Sequence, residues 1–176
     1  FAGVPNCRAW DPAFAYEVAL IVQRGIEEML VEQGDVFYYL TVGNENYAHA
    51  SMPAGVREGV LRGMYPLAGA SGGKKEKGKG KKGKQIAAQL LASGAILPQA
   101  VKAAGLLADF GIDAQVWSVT SWTELHRDAI DCERRGRVHW EQPAPLPYVT
   151  AQLAATSGPV IAASDYVRAL PELIRA

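Results

Sequence analysis

Three carboxylates share one face of a predicted helix and are the first candidates for chemistry. Glu124, Asp128 and Asp131 stand at i, i+4 and i+7, a spacing that aligns side chains along a helix. Grouped carboxylates can bind a metal ion or divide general acid and base roles. The same helix also places Arg127 near Glu124 and Arg135 one turn after Asp131, which are ion-pair spacings. The sequence therefore favours surface ion pairs, with a metal or catalytic site as the alternative.

The histidines and cysteines show neither metal-ligand nor nucleophile spacing. His49, His126 and His139 stand far apart, and none adjoins a Ser or Cys in a nucleophile turn. His49 is the best placed, because it follows a predicted strand, although a solvent-facing loop histidine is the commoner case. Cys7 and Cys132 form no CxxC or Cys/His pattern. We expect both to be packed thiols in a reducing compartment, the cytoplasm.

A lysine-rich segment contains two literal phosphate-binding patterns. Seven of the eight lysines lie between Lys74 and Lys84. Within this segment Gly78–Gly83 spells GxGxxG, and Lys84 nearly completes a P-loop. Both patterns need a strand before them and a helix after them, and neither element is predicted here. The P-loop also needs Ser or Thr where this chain has Gln85. The segment is better interpreted as a solvated charge run in a low-complexity linker.

Composition excludes several classes of protein. The chain has 176 residues, 49% of them apolar and 20% charged, which is typical of a folded globular protein. It lacks a run of 18 apolar residues, so we predict no membrane span. Seven lysines and Glu76 give the lysine-rich segment a charge of +6, so the remainder of this neutral chain carries −6. An acidic remainder gives no general reason to bind nucleic acid. Because the chain starts at Phe1 and stops within a helical pattern, we expect a fragment.

The apolar pattern predicts two successive α/β segments. In the first, a helix from Asp11 to about Leu30 precedes a strand at Val36–Val42, whose unbroken apolar character is typical of burial on both faces of a parallel sheet. In the second, strands alternate with helices: strands at 85–92, 115–120 and 159–163, and helices at 98–110, 121–135 and after Ser164. This alternation predicts a largely parallel, layered α/β architecture.

A polar loop follows the first predicted strand. Asn44, Glu45, Asn46 and Tyr47 come directly after it, and a short helix is predicted from Ala54 to about Gly63. Ligands gather at the carboxyl ends of strands in open α/β sheets. From the residues alone, the chain is a two-part α/β protein with an unidentified site.

Six stretches of the chain form an ordered set: Val4–Cys7, Asp11–Glu17, Asn44–Tyr47, Ser118–Leu125, Asp131–Arg134 and Ser164–Tyr166. Taken together, they resemble the homodimeric pyruvate dehydrogenase E1 family of thiamine-diphosphate enzymes, within the transketolase superfamily. The resemblance implies the end of one parallel-sheet domain joined by a linker to a second α/β domain. Residues 1–47 would be the C-terminal part of a pyrimidine-binding-like domain, and residues 48–84 a linker with a short helix and a Lys/Gly-rich disordered insertion. Residues 85–176 would be a truncated transketolase C-terminal-like domain.

The resemblance implies that the full chain decarboxylates pyruvate with thiamine diphosphate and Mg²⁺. It would pass the acetyl unit to a lipoyl group of dihydrolipoyl acetyltransferase, as a homodimer in a cytoplasmic multienzyme complex. This chain departs from the family's Mg²⁺ motif, because Gly34-Asp35 is followed by Val36 and Asn44 comes too soon afterwards. No position here matches a catalytic, cofactor-binding or metal-binding residue of the family. We therefore expect a structural and dimerising segment that binds no cofactor alone, with Asn44–Tyr47 nearest the active-site entrance.

Two alternatives remain open at this point. The full chain could be another thiamine-dependent 2-oxo acid dehydrogenase or a transketolase-type enzyme. The segment could instead be an assembly module that binds an acidic partner through Lys74–Lys84 by screened attraction. An inert linker is the favoured interpretation of those lysines.

Overall fold

Two sheets organise the chain. The computed structural model describes residues 3–43, 46–67 and 86–174, and within these ranges it contains a two-stranded sheet and a four-stranded sheet. Asn44, Glu45 and the segment Lys74–Lys84 lie outside the described residues. The mixed α/β architecture with parallel strands confirms the predicted fold class.

The first unit, residues 3–40, contains the two-stranded sheet. Strand β1 (Cys7–Trp10) pairs in parallel with β2 (Phe37–Leu40), and helix α1 (Ala15–Ile26) connects them through a π-helical turn at Glu27–Val31. The parallel pairing is as predicted. Burial of β2 on both faces is not, because Phe37 and Tyr39 are 44% and 39% exposed. Helix α1 covers only the other face, where the backbone of Gly25 lies against the Tyr38 ring.

Helix α1 does not begin at Asp11, where the sequence pattern placed its start. The helix begins at Ala15, and the free N–H groups of Ala13 and Phe14 donate to Glu17 Oε2, at 2.5 and 2.9 Å. Asp11 instead lies just past β1 and accepts a 2.6 Å hydrogen bond from the Thr41 hydroxyl. A glutamate inside the first turn thus caps the start of the helix.

The second unit, residues 57–174, contains the four-stranded sheet. Its strands are β3 (Met64–Pro66), β4 (Ile86–Ala92), β5 (Ile112–Val119) and β6 (Val160–Ala163). Its helices are α2 (Arg57–Arg62), α3 (Leu97–Asp109), α4 (Trp122–Val138), α5 (Tyr148–Leu153) and α6 (Ala169–Glu172). The strand order is β3-β5-β4-β6, with β4 parallel to both β5 and β6, and β3 antiparallel to β5.

Helix α4 begins as the sequence predicted. Ser121 is its N-cap, and the Ser121 hydroxyl oxygen accepts the Glu124 N–H at 3.0 Å. In the described part of the chain, none of the helices combines the length and the apolar character that a bilayer-spanning segment needs.

The two units share one apolar core, and their strand ends face each other. Trp10 and Phe14 of the first unit belong to the same buried cluster as Leu90 and Val116 of the second. At the boundary, the Asp11 N–H donates to the carbonyl of Thr120, just after β5, at 2.8 Å. The N–H of Gly94, just after β4, donates to the Asp11 carbonyl at 3.1 Å. The carboxyl ends of β1, β4 and β5 therefore converge on Asp11.

Gly94 is required where the strand ends converge, so Gly94→Ala is predicted to destabilise the fold. Its φ is +50°, and an added Cβ would lie 2.6 Å from Asp11 Oδ1. We expect the free energy of unfolding of the full-length chain to fall by about 1–3 kcal/mol, measured by urea denaturation. Gly105→Ala is the matched control, because Gly105 lies in α3 with nothing within 4 Å of the added Cβ. It should raise stability by about 0.5–1 kcal/mol. Equal free energies of unfolding for the two variants would show that position 94 does not require glycine.

Candidate functional site

A cavity of about 280 Å³ opens where the strand ends of the two units converge. One wall carries Trp10, Asp11 and Thr41, at the carboxyl ends of β1 and β2. The opposite wall carries Trp122, at the start of α4, and Tyr166, before α6. This edge is the place where α/β folds bind ligands, so the cavity is the best candidate site in the described residues.

Asp11 gives the cavity an unusual carboxyl group. Burial raises the pKa of Asp11 above its ordinary value of 3.8, and hydrogen bonds from Ser93 and Thr41 oppose this shift. The nearby Asp165 carboxylate adds to the rise. Within the described part of the chain, Asp11 Oδ2 and Trp10 Nε1 are buried without a hydrogen-bond partner. The border of the cavity therefore holds one unused acceptor and one unused donor.

A second buried carboxylate, Glu17, bridges the two units. Glu17 is fully buried, and its Oε1 accepts hydrogen bonds from the Tyr65 hydroxyl on β3 at 2.5 Å and the Ser118 hydroxyl on β5 at 2.7 Å. Its other oxygen caps α1. The Tyr65 oxygen also lies 2.5 Å from that of Tyr16. Burial, with the Glu17 charge beside it, raises the pKa of Tyr65 far above its ordinary value of 10.0, so the phenol stays protonated and donates.

The loop after β2 is fastened to the start of α1. The Tyr47 hydroxyl donates to the Ala13 carbonyl, and His49 Nδ1 accepts the Ala15 N–H at 3.1 Å. The Tyr47 and His49 rings stack with their centroids 4.9 Å apart. Because Nδ1 accepts, the bonded tautomer of His49 carries its proton on Nε2.

The structure describes two of the four residues of the predicted entrance loop. Asn46 is exposed and Tyr47 is partly buried, both at the carboxyl end of β2, while Asn44 and Glu45 lie outside the described residues. The cavity beside Asp11 is lined by neither Asn46 nor Tyr47. Their position at the active-site entrance stays a prediction.

The carboxylates of α4 form ion pairs and a backbone hydrogen bond, which confirms the favoured interpretation. Four contacts engage them: Glu124 with Arg8 at 2.8 Å and with Arg127 at 3.3 Å, Asp128 with the Tyr148 N–H at 2.6 Å, and Asp131 with Arg135. Burial raises the pKa of Glu124, and Arg8 and Arg127 counteract that rise. Among residues 3–43, 46–67 and 86–174, no group of three or more His, Cys, Asp or Glu side chains is arranged to hold a metal ion.

The remaining histidines and the cysteines have structural surroundings. His126 Nδ1 lies 2.8 Å from the carbonyl of Leu173, and His139 lies 3.7 Å from Glu141. Cys7 and Cys132 are buried free thiols, as predicted. Burial raises the pKa of the Cys132 thiol, which disfavours a nucleophilic thiolate.

Sequence reasoning missed the Glu17 network. Two signals could have found it: a Glu at the third position of a helix, where it can cap, and a lone Ser118 within the apolar run of β5. Tyr65 carries no such signal, because its strand has only three residues.

Two family matches divide the chain. Residues 1–50 match the pyruvate dehydrogenase E1 component middle domain, and residues 73–175 match the transketolase-like TK C-terminal domain. The chain is 46% identical over 173 residues to the pyruvate dehydrogenase E1 component of Pseudomonas aeruginosa, and 45% identical over 174 residues to that of Mycobacterium tuberculosis. These alignments cover 98% and 97% of this chain, which spans 18% of the length of each relative.

A solved transketolase from Pichia stipitis has the same fold. It superposes with a TM-score of 0.53 at 16% identity, over 93% of this chain and 19% of the transketolase. The likeness at this identity concerns the fold alone. Because the C-terminal domain match spans more than half of the chain and the middle domain match precedes it, the chain belongs to the transketolase-like family and has the domain order of pyruvate dehydrogenase E1 components.

Proposed function

We propose that this chain is the part of a pyruvate dehydrogenase E1 component that joins the middle domain to the transketolase-like C-terminal domain. The observation that carries the proposal is the Glu17 bridge, which ties α1 of the first unit to β3 and β5 of the second. A fully buried carboxylate with donors from both units fixes how the units meet. The bridge supports a structural role for the segment, and we further propose that the segment contributes to the dimer in the whole enzyme.

The proposed domain boundaries place residues 1–47 in the first domain, 48–84 in a linker and 85–176 in the second domain. Matches over residues 1–50 and 73–175 support this division. Strand β3 lies within the linker and pairs with β5, so the linker also contributes to the sheet of the second domain.

For the full-length chain we propose the reaction that gives its relatives their name. As an oxidoreductase component acting on the pyruvate of glycolysis, it decarboxylates pyruvate with thiamine diphosphate and Mg²⁺ and transfers the acetyl unit to a lipoyl group of dihydrolipoyl acetyltransferase. It works as a cytoplasmic homodimer in a multienzyme complex. The relatives' name supports pyruvate over other 2-oxo acids or sugar phosphates, and two free cysteines suit a reducing compartment. The described residues offer no metal-binding group, so no step through the cofactor is assigned to this segment.

The structural role predicts that the 176-residue chain alone does not release CO₂ from pyruvate. The full-length chain should do so when supplied with thiamine diphosphate and Mg²⁺. Labelled CO₂ released from [1-¹⁴C]pyruvate measures both. Cofactor-dependent release by the short chain would refute the structural role, and inactivity of the full-length chain would refute the proposed reaction.

The entrance loop is expected to influence kinetics in the full-length enzyme. Changing Glu45→Gln and Asn46→Ala together should lower kcat/KM for pyruvate by about tenfold, because small displacements near reacting groups are costly. Gln142→Ala, at an exposed position after α4, is the control and should leave kinetics unchanged. If the double variant had the same kcat/KM as the control, the loop would not lie at the active-site entrance.

The buried Asp11 carboxyl predicts a pH-dependent stability of the junction. Its folded-state pKa is raised above 3.8, so protonation favours the folded chain at low pH. That contribution is lost as pH rises through the raised pKa. Asp11→Asn keeps the shape and carries no charge, so its Tm should rise relative to that of the wild type as the pH is raised above the ordinary Asp value of 3.8. Asp109→Asn, at the exposed end of α3, is the control. If the Tm of the wild type and that of Asp11→Asn changed with pH in the same way, the charge of Asp11 would have no effect on stability.

A further inference from the structure

A chain of direct contacts runs from the second unit to the loop after β2. Its first link is the pair of hydroxyl groups on β3 and β5. Tyr65 and Ser118 are each 1% exposed, and both donate to the same oxygen of Glu17, at 2.5 and 2.7 Å. The position of that carboxylate therefore depends on where the second sheet places these two strands.

The second link is the start of α1. The other Glu17 oxygen accepts the N–H groups of Ala13 and Phe14, at 2.5 and 2.9 Å. Hydrogen bonds to a carboxylate are short and strong, and this carboxylate is closed off from water. The backbone that leads into α1 is thus held by the same side chain that the second unit holds.

The third link is the loop itself. Tyr47 donates to the Ala13 carbonyl, and His49 accepts the Ala15 N–H at 3.1 Å. The Phe14 and His49 rings also meet edge to face, with centroids 6.5 Å apart. The hydrogen bonds of Tyr47 to Ala13 and of His49 to Ala15 therefore attach the loop to the short stretch Ala13–Ala15, which Glu17 holds.

We infer that Glu17 is a positioning residue through which the transketolase-like part of the chain holds the loop Asn46–His49 against α1. Glu17 accepts the N–H groups of Ala13 and Phe14, and it acts on the loop through them. The inference deepens the proposed function and rests on it, since that proposal places this loop at the active-site entrance. Loss of a Glu17 donor in the second unit should release the loop, although the lost hydroxyl lies on another sheet.

The test compares matched hydroxyl deletions in the full-length chain, with 3-fluorotyrosine placed at position 47. Tyr65→Phe and Ser118→Ala each remove one donor to Glu17. Tyr148→Phe is the control, because the Tyr148 hydroxyl is also buried in the second unit but donates to the Met64 carbonyl, at 3.0 Å. We expect the ¹⁹F resonance to move toward that of free fluorotyrosine in the two Glu17-donor variants and to stay in place in the control. Should Tyr65→Phe fail to fold, Ser118→Ala decides alone.

Kinetics of the same variants separate the inference from the proposed function. With pyruvate, KM should rise several-fold in Tyr65→Phe and Ser118→Ala, with a smaller change in kcat, and neither value should change in Tyr148→Phe. An unmoved resonance in the Glu17-donor variants, or an equal movement in all three variants, would overturn the positioning role. A wild-type chain that shows no thiamine-dependent CO₂ release would defeat the proposed function, while the ¹⁹F result would still decide the role of Glu17.

Discussion

The fold depends on the burial of one carboxylate. Glu17 is fully buried in the shared core, and a carboxylate removed from water is costly unless donors surround it. Four donors do so: two backbone N–H groups and two hydroxyls that come from strands 48 and 101 residues away in sequence. Leaving a buried partner unsatisfied costs about 1–3 kcal/mol, so few relative positions of the two units are tolerated. The carboxylate therefore selects one arrangement where apolar packing alone would accept several.

Asp11 lies close to the same boundary, but its surroundings differ. Both groups are carboxyls near the ends of parallel strands, yet Glu17 uses both oxygens, while Asp11 Oδ2 has no partner among the described residues. Burial therefore raises the pKa of Asp11, with only partial opposition from Ser93 and Thr41. Asp11 therefore combines a raised pKa with one oxygen that lacks a partner among the described residues, at the edge of the cavity.

The sequence predicted the elements whose signals are local and long. Strands β4 and β5 and helix α4 have seven or more residues each, and the Ser121 cap marks the start of α4. Strands β1 and β3 were missed because Arg8 interrupts the first and Pro66 ends the second, whereas the similarly short β2 and β6 have unbroken apolar sequences. Helix α5 was missed because three prolines precede it. The buried side of α3 carries the small residues Ala100 and Ala104, while the larger Leu106 is 65% exposed.

The Glu17 network was less predictable, because the hydrogen-bond partners of Glu17 are distant in sequence. Glu17 has the local signature of a helix cap, and only the folded chain shows that Ser118 lies against it. The network also joins residues that are distant in sequence. The Glu17 carboxylate bonds to Ser118 and to the backbone of Ala13, whose carbonyl accepts the Tyr47 hydroxyl. The Ser118 hydroxyl on β5 thus helps to position the loop that carries Tyr47. Through this chain of hydrogen bonds, the second unit is coupled to the loop after β2, and ligands gather at such strand ends in this class of fold.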